Sequence, residues 1–181
     1  MQSRKEIDWY KEILPELEVV FDVGCRGDEV FYALNRNLDI HLFDPIDRGI
    51  KTGKFNNYAL GAEKGMGVFY NEYSSLLKRN FTGKKWAGVK HTNLPVKIDT
   101  VDNYCSENGI KKIDLLKIDA EGSDLNVILG AAKMLPFVKY IQFEHWNDAM
   151  VEQIKEILKD YEVTELGGKP MNYKAKRNEE I

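Results

Sequence analysis

Two rhythms of apolar residues alternate along this chain. Short β-branched and aromatic runs at 19–23, 40–43, 57–60, 113–119 and 140–144 predict strands. Between them, apolar residues recur every three or four positions and predict helices. The first has Ile7, Tyr10 and Leu14 on one face, opens on a Ser3/Glu6 capping box and stops at Pro15. A second spans 28–36 with Val30, Phe31 and Leu34 inward, and a third spans 101–108 between a Thr100 cap and Gly109. A fourth, over 124–135, puts Leu125, Ile128, Leu129, Ala132 and Leu135 on one face and ends at Pro136. The last covers 148–161 behind an Asn147 cap, with Val151, Ile154, Ile157 and Leu158 inward.

Elsewhere the pattern is weaker. Residues 67–71 read as a short extended piece that pairs with 57–60, and 96–98 as extended. Residues 72–95 read as an irregular basic insertion on the substrate side, and 1–18 as an N-terminal helical extension. Residues 162–166 alternate, turn through Gly167-Gly168-Lys169-Pro170 and return antiparallel over 171–175. Strands separated by helices predict an α/β fold with a mostly parallel sheet and right-handed crossovers, the terminal hairpin excepted. The 181 residues suit a single domain.

Composition narrows the picture little. Twenty-six basic against 29 acidic residues leave a net charge of -3, which gives no global argument for nucleic acid or a membrane. Between Tyr73 and Ile98, however, there is no acidic residue, and Lys78, Arg79, Lys84, Lys85, Lys90 and Lys97 all lie there. That stretch is either a solvated face or a loop that meets a phosphate, an acidic sugar or RNA. Cys25 and Cys105 announce neither a disulfide framework nor a structural zinc site. No run of some twenty apolar residues occurs, so a soluble, cytoplasmic protein is expected.

The chemistry gathers where strands end. In Asp22-Val23-Gly24-Cys25-Arg26-Gly27 the first strand turns into a helix, so glycine lets the backbone approach a ligand and free amides face it. The spacing is neither a dinucleotide fingerprint nor a phosphate loop. Asp44, before Pro45 at the end of the second strand, occupies the position from which a carboxylate accepts both ribose hydroxyls, or it makes an ordinary Asp-Pro turn. Lys117, Asp119 and Glu121 cluster at the exit of the strand over 113–119; two carboxylates there require a cation, a donor or a shared proton, and Lys117 is a candidate donor.

These pieces, Val20-Phe-Asp-Val-Gly24, Phe43-Asp-Pro45, Ala59-Leu-Gly61, Ile98-Asp-Thr-Val-Asp102, Leu115-Leu-Lys-Ile-Asp-Ala-Glu-Gly122 and Gln142-Phe-Glu144, together resemble the FkbM-like S-adenosylmethionine-dependent methyltransferases. The resemblance implies a class I methyltransferase, Rossmann-like fold, with a seven-stranded sheet, helices on both faces and a reversed hairpin strand. It implies S-adenosylmethionine as cofactor and methyl transfer to a hydroxyl on a sugar, glycan or other small acceptor. It also implies that Asp22 and Gly24 line the methionine end and Asp44 the ribose; Cys25, Arg26, Gly27, Pro45, Ala59, Leu60 and Asp119 complete the expected cofactor set. Cys25-Arg26-Gly27 with Asp28 departs from the family's usual loop, so Arg26 meets either the cofactor carboxylate or solvent. Asp44 stands where glutamate is commoner. Asp124, also in a glutamate position, is either a helix-terminal charge or catalytic.

An alcohol acceptor loses a proton, and His145 is the first choice of base, with Glu144 or Asp119 orienting it or taking the proton directly. Asp119, Glu144 and His145 are alternatively hard ligands for a divalent metal, although their spacing does not demand one. Glu121, Trp146, Tyr73 and Lys78 are the expected substrate contacts, and His41 and His91 are weaker candidates for any role. Two other readings stay open: a ribose 2'-O-methyltransferase meeting RNA through 78–97, and a non-catalytic cofactor-binding or interaction module, with homodimerisation compatible with each. A dehydrogenase is disfavoured by the missing three-glycine loop.

Overall fold

The computed structural model describes residues 4–26, 37–47, 49–70, 75–76, 93–144, 147–167 and 171–178. Ser3, the helix expected over 28–36 and the turn at 168–170 lie outside them. In chain order the elements are α1 (Arg4–Ile13), β1 (Val19–Val23), β2 (Asp39–Phe43), β3 (Lys54–Asn56), β4 (Ala59–Leu60), β5 (Gly65–Tyr70) and β6 (Asn93–Asp99). They continue through α2 (Val101–Asn108), β7 (Ile113–Ile118), α3 (Asp124–Leu129), β8 (Val138–Glu144), α4 (Asp148–Ile157), β9 (Tyr161–Gly167) and β10 (Asn172–Arg177).

Seven strands form one sheet in the order β3-β2-β1-β7-β8-β10-β9. β3, β2, β1, β7 and β8 run parallel, while β10 is antiparallel to both β8 and β9. This is the mostly parallel, Rossmann-like sheet with a reversed strand. Because β1 leads outward to β2 and β3 while β7 lies on its other side, the strand order reverses between β1 and β7. Such switch points open a crevice at the carboxyl edge of the sheet.

The period-two alternation of strands sorts the core into two layers. Phe21, Val23, Leu116, Ile118, Ile141 and Phe143 face α2, α3 and α4, whose Tyr104, Val127, Ile128 and Ile154 share that cluster. Val20, Leu42, Leu115 and Tyr140 face Trp9, Tyr10 and Ile13 of α1. The first helix is therefore integral to the core, and its inward face runs through Glu6, Trp9, Tyr10 and Ile13, with Leu14 packed beside them and Ile7 half-buried.

A buried polar row crosses the α1 face. Asp22, Lys117 and Gln142 lie abreast on β1, β7 and β8. Lys117 Nζ is 2.8 Å from Asp22 Oδ1. Gln142 accepts from the Tyr10 hydroxyl and donates to Glu6 Oε1 and Asn172 Oδ1 at 3.0 Å each. Each buried polar group thus finds a partner across elements, as its desolvation requires.

Three expectations change. The third strand of the main sheet is β3, not 57–60; β4 instead joins a separate three-stranded sheet in which β6 lies between β4 and β5, so those two do not pair directly. The helix expected over 124–135 ends at Leu129, and Gly130 after it packs its Cα against the backbone of Gly61, where a Cβ would meet the Gly61 carbonyl oxygen at 2.0 Å. The chain then passes through turns to a 3-10 segment, Leu135–Phe137, which leaves Leu129 exposed. The last helix stops at Ile157, and Tyr161 opens β9 instead. The caps at Thr100 and Asn147 form as expected, accepting from Asn103 N at 3.0 Å and Met150 N at 2.8 Å. Neither cysteine forms a disulfide.

Candidate active site

The cleft at the carboxyl edge is lined by Val23, Gly24, Phe43, Asp44, Pro45, Ala59 and Leu60 on one side of the switch point, with Phe69, Ser75 and Leu76 from the smaller sheet and Asp119, Ala120 and Ser123 after β7. A larger cavity, about 790 Å³, opens at the opposite edge around Ile113, Phe137 and Val138. In a parallel α/β sheet the ligand-facing edge is the carboxyl one, so the smaller cleft is the candidate site.

Gly24 joins the two halves of that edge. Its N–H donates to Phe43 O at 2.8 Å, and Asp119 N donates to Val23 O at 2.9 Å. With φ at +78°, Gly24 turns the chain so that its Cα lies on the Asp119 carbonyl. The sequence places glycine here because a side chain fits neither the conformation nor the space.

Asp44 is buried, and its Oδ1 accepts from Ile46 N at 2.7 Å, closing an Asx turn that holds the carboxylate at the cleft wall. The Asp-Pro turn exists, and the acid still borders the cleft. Asp22 is placed differently from the expectation. It is fully buried on the α1 face, paired with Lys117, and is not a lining residue. Lys117 is thereby ion-paired with Asp22, and its charge also acts on Glu144. Cys25 also turns into the α1-side core. His41, inside β2, is packed, with Nδ1 2.8 Å from the Tyr104 hydroxyl; burial pushes its imidazole below the usual value.

Arg26 does not simply point to solvent. Its Nη2 donates to Glu121 Oε1 at 2.8 Å, bridging the loops after β1 and β7. Glu121 has φ at +51°, the one non-glycine residue with positive φ among those described, and its carbonyl accepts from Ser75 Oγ at 2.8 Å. Asp124 is fully buried and is more than a helix-terminal charge: Oδ1 accepts from Glu144 N and Oδ2 from Gly122 N, both at 3.1 Å. It therefore ties the end of β8 to the turn after β7.

Acids dominate the electrostatics here. Burial, then the Asp119, Asp124 and Glu121 carboxylates, push Glu144 up to about 8. Burial and the Asp119 charge push Asp124 up to about 7 against its backbone donors. Asp119 Oδ1 is buried with no hydrogen-bond partner among the described residues. No group of three or more histidine, cysteine or acidic side chains among those residues is arranged to hold a metal ion.

A carboxyl whose folded value exceeds its unfolded one binds its proton more tightly when folded, so the native state is favoured below the unfolded value and that advantage is lost as pH rises through the folded one. For Asp124 the window runs from 3.8 to about 7, and for Glu144 from 4.5 to about 8. Urea unfolding between about pH 5 and 8 is expected to lose up to roughly 1.4 kcal/mol per pH unit for each group. Asp124→Asn/Glu144→Gln removes that slope whatever it does to the intercept; an equal slope in the double variant refutes the assignment.

Of the expected cofactor set, Gly24, Asp44, Pro45, Ala59, Leu60 and Asp119 meet at the cleft, whereas Asp22, Cys25 and Arg26 do not line it. Glu144 is buried beside the cluster without lining the cleft. Gly27, Tyr73, Lys78, His91, His145 and Trp146 lie outside the described residues. Phe69, Ser75, Leu76, Ala120 and Ser123 were not anticipated. From the basic stretch, Lys97 is described: it sits 3.4 Å from Asp99 Oδ2 and 4.3 Å from the Tyr58 ring centre. No helix among the described residues is long and apolar enough to cross a membrane.

Several known proteins resemble this chain. The chain is similar to the 2-O-methyltransferase NoeI of Sinorhizobium fredii (strain NBRC 101917 / NGR234), 32% identical over 60 residues, which are 32% of this chain and 25% of that protein. In fold it is similar to methyltransferase FkbM from Methylobacillus flagellatus KT, with TM-score 0.56, 13% identity and coverage of 88% of this chain and 44% of that one. It is also similar to the METTL16 MTase domain, with TM-score 0.52, 11% identity and coverage of 94% and 65%. The chain thus spans a quarter of the curated relative and less than two thirds of either solved structure. Residues 21–166, from the middle of β1 almost to the end of β9, match the methyltransferase FkbM domain, and the chain belongs to that family.

Proposed function

We propose that the cleft binds S-adenosylmethionine and that the protein transfers its methyl group to a hydroxyl of a sugar or glycan. One observation carries this reading: in a chain of the FkbM family, the Gly24 turn, Asp44 and the Asp119–Ser123 turn converge on an apolar wall at the switch point. The name of the Sinorhizobium relative, a 2-O-methyltransferase, supports a hydroxyl acceptor.

The residues fit such a donor. Phe43, Pro45, Leu60, Phe69 and Leu76 suit a flat base, and Asp44 suits vicinal ribose hydroxyls. The surplus of carboxylates around Glu144 suits a cationic sulfur and an ammonium. Bound there, S-adenosylmethionine supplies an electrophilic methyl carbon. The chain's own part is to hold the acceptor oxygen in line and to take its proton. We assign the proton to Asp119 Oδ1. Glu144, raised to about 8, holds its own proton at neutral pH and acts as a neighbour of that base. His145 follows Glu144 in the sequence and is the competing assignment.

Calorimetry with S-adenosylmethionine and NAD tests the donor, and labelled donor with sugar nucleotides, glycans and short RNA tests the acceptor. Heat with the methyl donor and label on sugars are expected. Label on RNA alone overturns the acceptor, and no heat overturns the donor in favour of a non-catalytic module. Asp119→Asn is expected to lower turnover by about 10²–10⁴, a far larger effect than its loss of donor binding. If His145→Ala carries that loss and Asp119→Asn does not, the histidine is the base.

A further inference from the structure

The cavity of about 790 Å³ at the amino edge of the main sheet shares no lining residue with the cleft, and it has a chemistry of its own: an apolar floor ringed by cations. We propose that it is a second ligand site, taking an organic anion with an extended apolar body, of the acyl carboxylate class. The inference does not depend on the methyl-donor reading of the cleft.

The ends of three strands build the cavity. β7 and β8 start there, with Ile113 opposite Val138, and the antiparallel β10 leaves beside β8 through Lys176 and Arg177. Ile113 and Val138 belong to the buried core, and Pro136 and Phe137 continue that apolar surface outward until the Phe137 ring stands 58% exposed. The turn that carries this ring is fixed from behind. The Tyr161 hydroxyl donates to Leu135 O at 2.6 Å and Val138 O at 2.8 Å, which takes up two carbonyls of the turn and leaves apolar side chains to face a ligand.

Charge selects the head group. Lys112, Lys139, Lys176 and Arg177 line the cavity against one described acid, Asp114. That acid is occupied by backbone: its Oδ2 accepts from Glu18 N and Val19 N at 2.8 Å each. Lys112 and Lys139 lie 2.6 and 2.5 Å from Glu18 and Glu16, but all four side chains are wet, and pairs of this kind cost little to exchange for another anion. Lys176 forms no ion pair among the described residues, and its charge reaches Glu16 only through space. Arg177 adds a planar fork that matches a carboxylate. The volume lies in the range of small-molecule sites. A small inorganic anion would leave the floor and Phe137 in water, and a neutral hydrocarbon would leave the cations unused. An amphiphilic anion meets both.

Titration calorimetry separates the two parts with three probes kept below their micelle concentrations: decanoate, acetate and decyltrimethylammonium. Decanoate is expected to bind one per chain with a Kd below about 1 mM. Acetate, which lacks the chain, and decyltrimethylammonium, which reverses the charge, are expected to bind at least about tenfold more weakly. Lys176→Glu/Arg177→Glu weakens decanoate by about tenfold or more. Phe137→Asp sets an acid on the exposed part of the floor and does the same. Lys11→Glu/Lys51→Glu makes an equal change of net charge at exposed positions outside the cavity and leaves decanoate within about twofold. Thermal midpoints check that each variant folds. No decanoate binding, equal binding of decanoate and decyltrimethylammonium, an equal loss in Lys11→Glu/Lys51→Glu, or unchanged binding in Phe137→Asp overturns the site. Retention on anionic phospholipid vesicles without binding of free decanoate also overturns it, in favour of a membrane-facing patch.

Discussion

Gly24→Ala is expected to abolish soluble folded protein or, at the least, all ligand binding at the cleft. The added methyl would lie 1.9 Å from the Asp119 carbonyl oxygen, well inside any real contact. Relief by separating the loops breaks the Asp119 N to Val23 O bond of 2.9 Å or the Gly24 N to Phe43 O bond of 2.8 Å, and these join β1 to β7 and β2 at the cleft. The φ of +78° adds its own penalty. Gly49 separates the two causes: its φ is +67°, but a Cβ there meets nothing within 4 Å. Gly49→Ala should therefore cost only about 1–2 kcal/mol, the conformational part. Parallel expression and thermal unfolding of both variants is the measurement. If the two lose equal stability, the close approach of Gly24 to Asp119 contributes nothing.

The second large effect belongs to Lys117. Lys117→Met leaves the fully buried Asp22 carboxylate without its lysine, and breaking a buried pair from one side costs about 3–5 kcal/mol. Asp22→Leu/Lys117→Met removes both charges and should recover at least half of that loss, because desolvation of the pair offsets much of its attraction. Chemical denaturation of the single and double variants decides. A Lys117→Met protein no less stable than the double variant means the pair is not held as a pair in solution. Neither side chain is expected to alter ligand selectivity, since neither lines the cleft; Asp22 acts on the site only through the strand it anchors.

This is where the reading of the sequence and the folded chain part. Strand ends, the glycine turn and both helix caps were legible because each depends on a few consecutive residues: β-branched runs, a glycine, and a Thr100 or Asn147 side chain reaching three residues ahead. The close packing at Gly130 was not legible, since it is small for the sake of Gly61, which lies far away in the chain. Phe69 escaped notice for a similar reason. It is the one buried side chain of β5, whose neighbours Met66 and Val68 are exposed, and its strand reaches the cleft only through pairing with β6.

Asp22 shows the same limit within a motif that was recognised. Its place before Gly24 is local information, but the direction of its side chain is set by the pleat, which turns Phe21 and Val23 to one face and Asp22 to the other. Lys117 meets it because β1 and β7 are parallel neighbours with Asp22 opposite Lys117. That same offset of 95 residues separates Arg26 from Glu121, four positions farther along both chains. By itself the sequence determined the strands β1, β2, β7 and β8, the helices that start after Thr100 and Asn147, the acids and glycines at strand exits and the likeness to the FkbM family, all of which are local patterns. The tertiary structure decided which of those acids face the cleft and which cation each one meets, because side-by-side register between distant strands is set by long-range packing that no local pattern encodes.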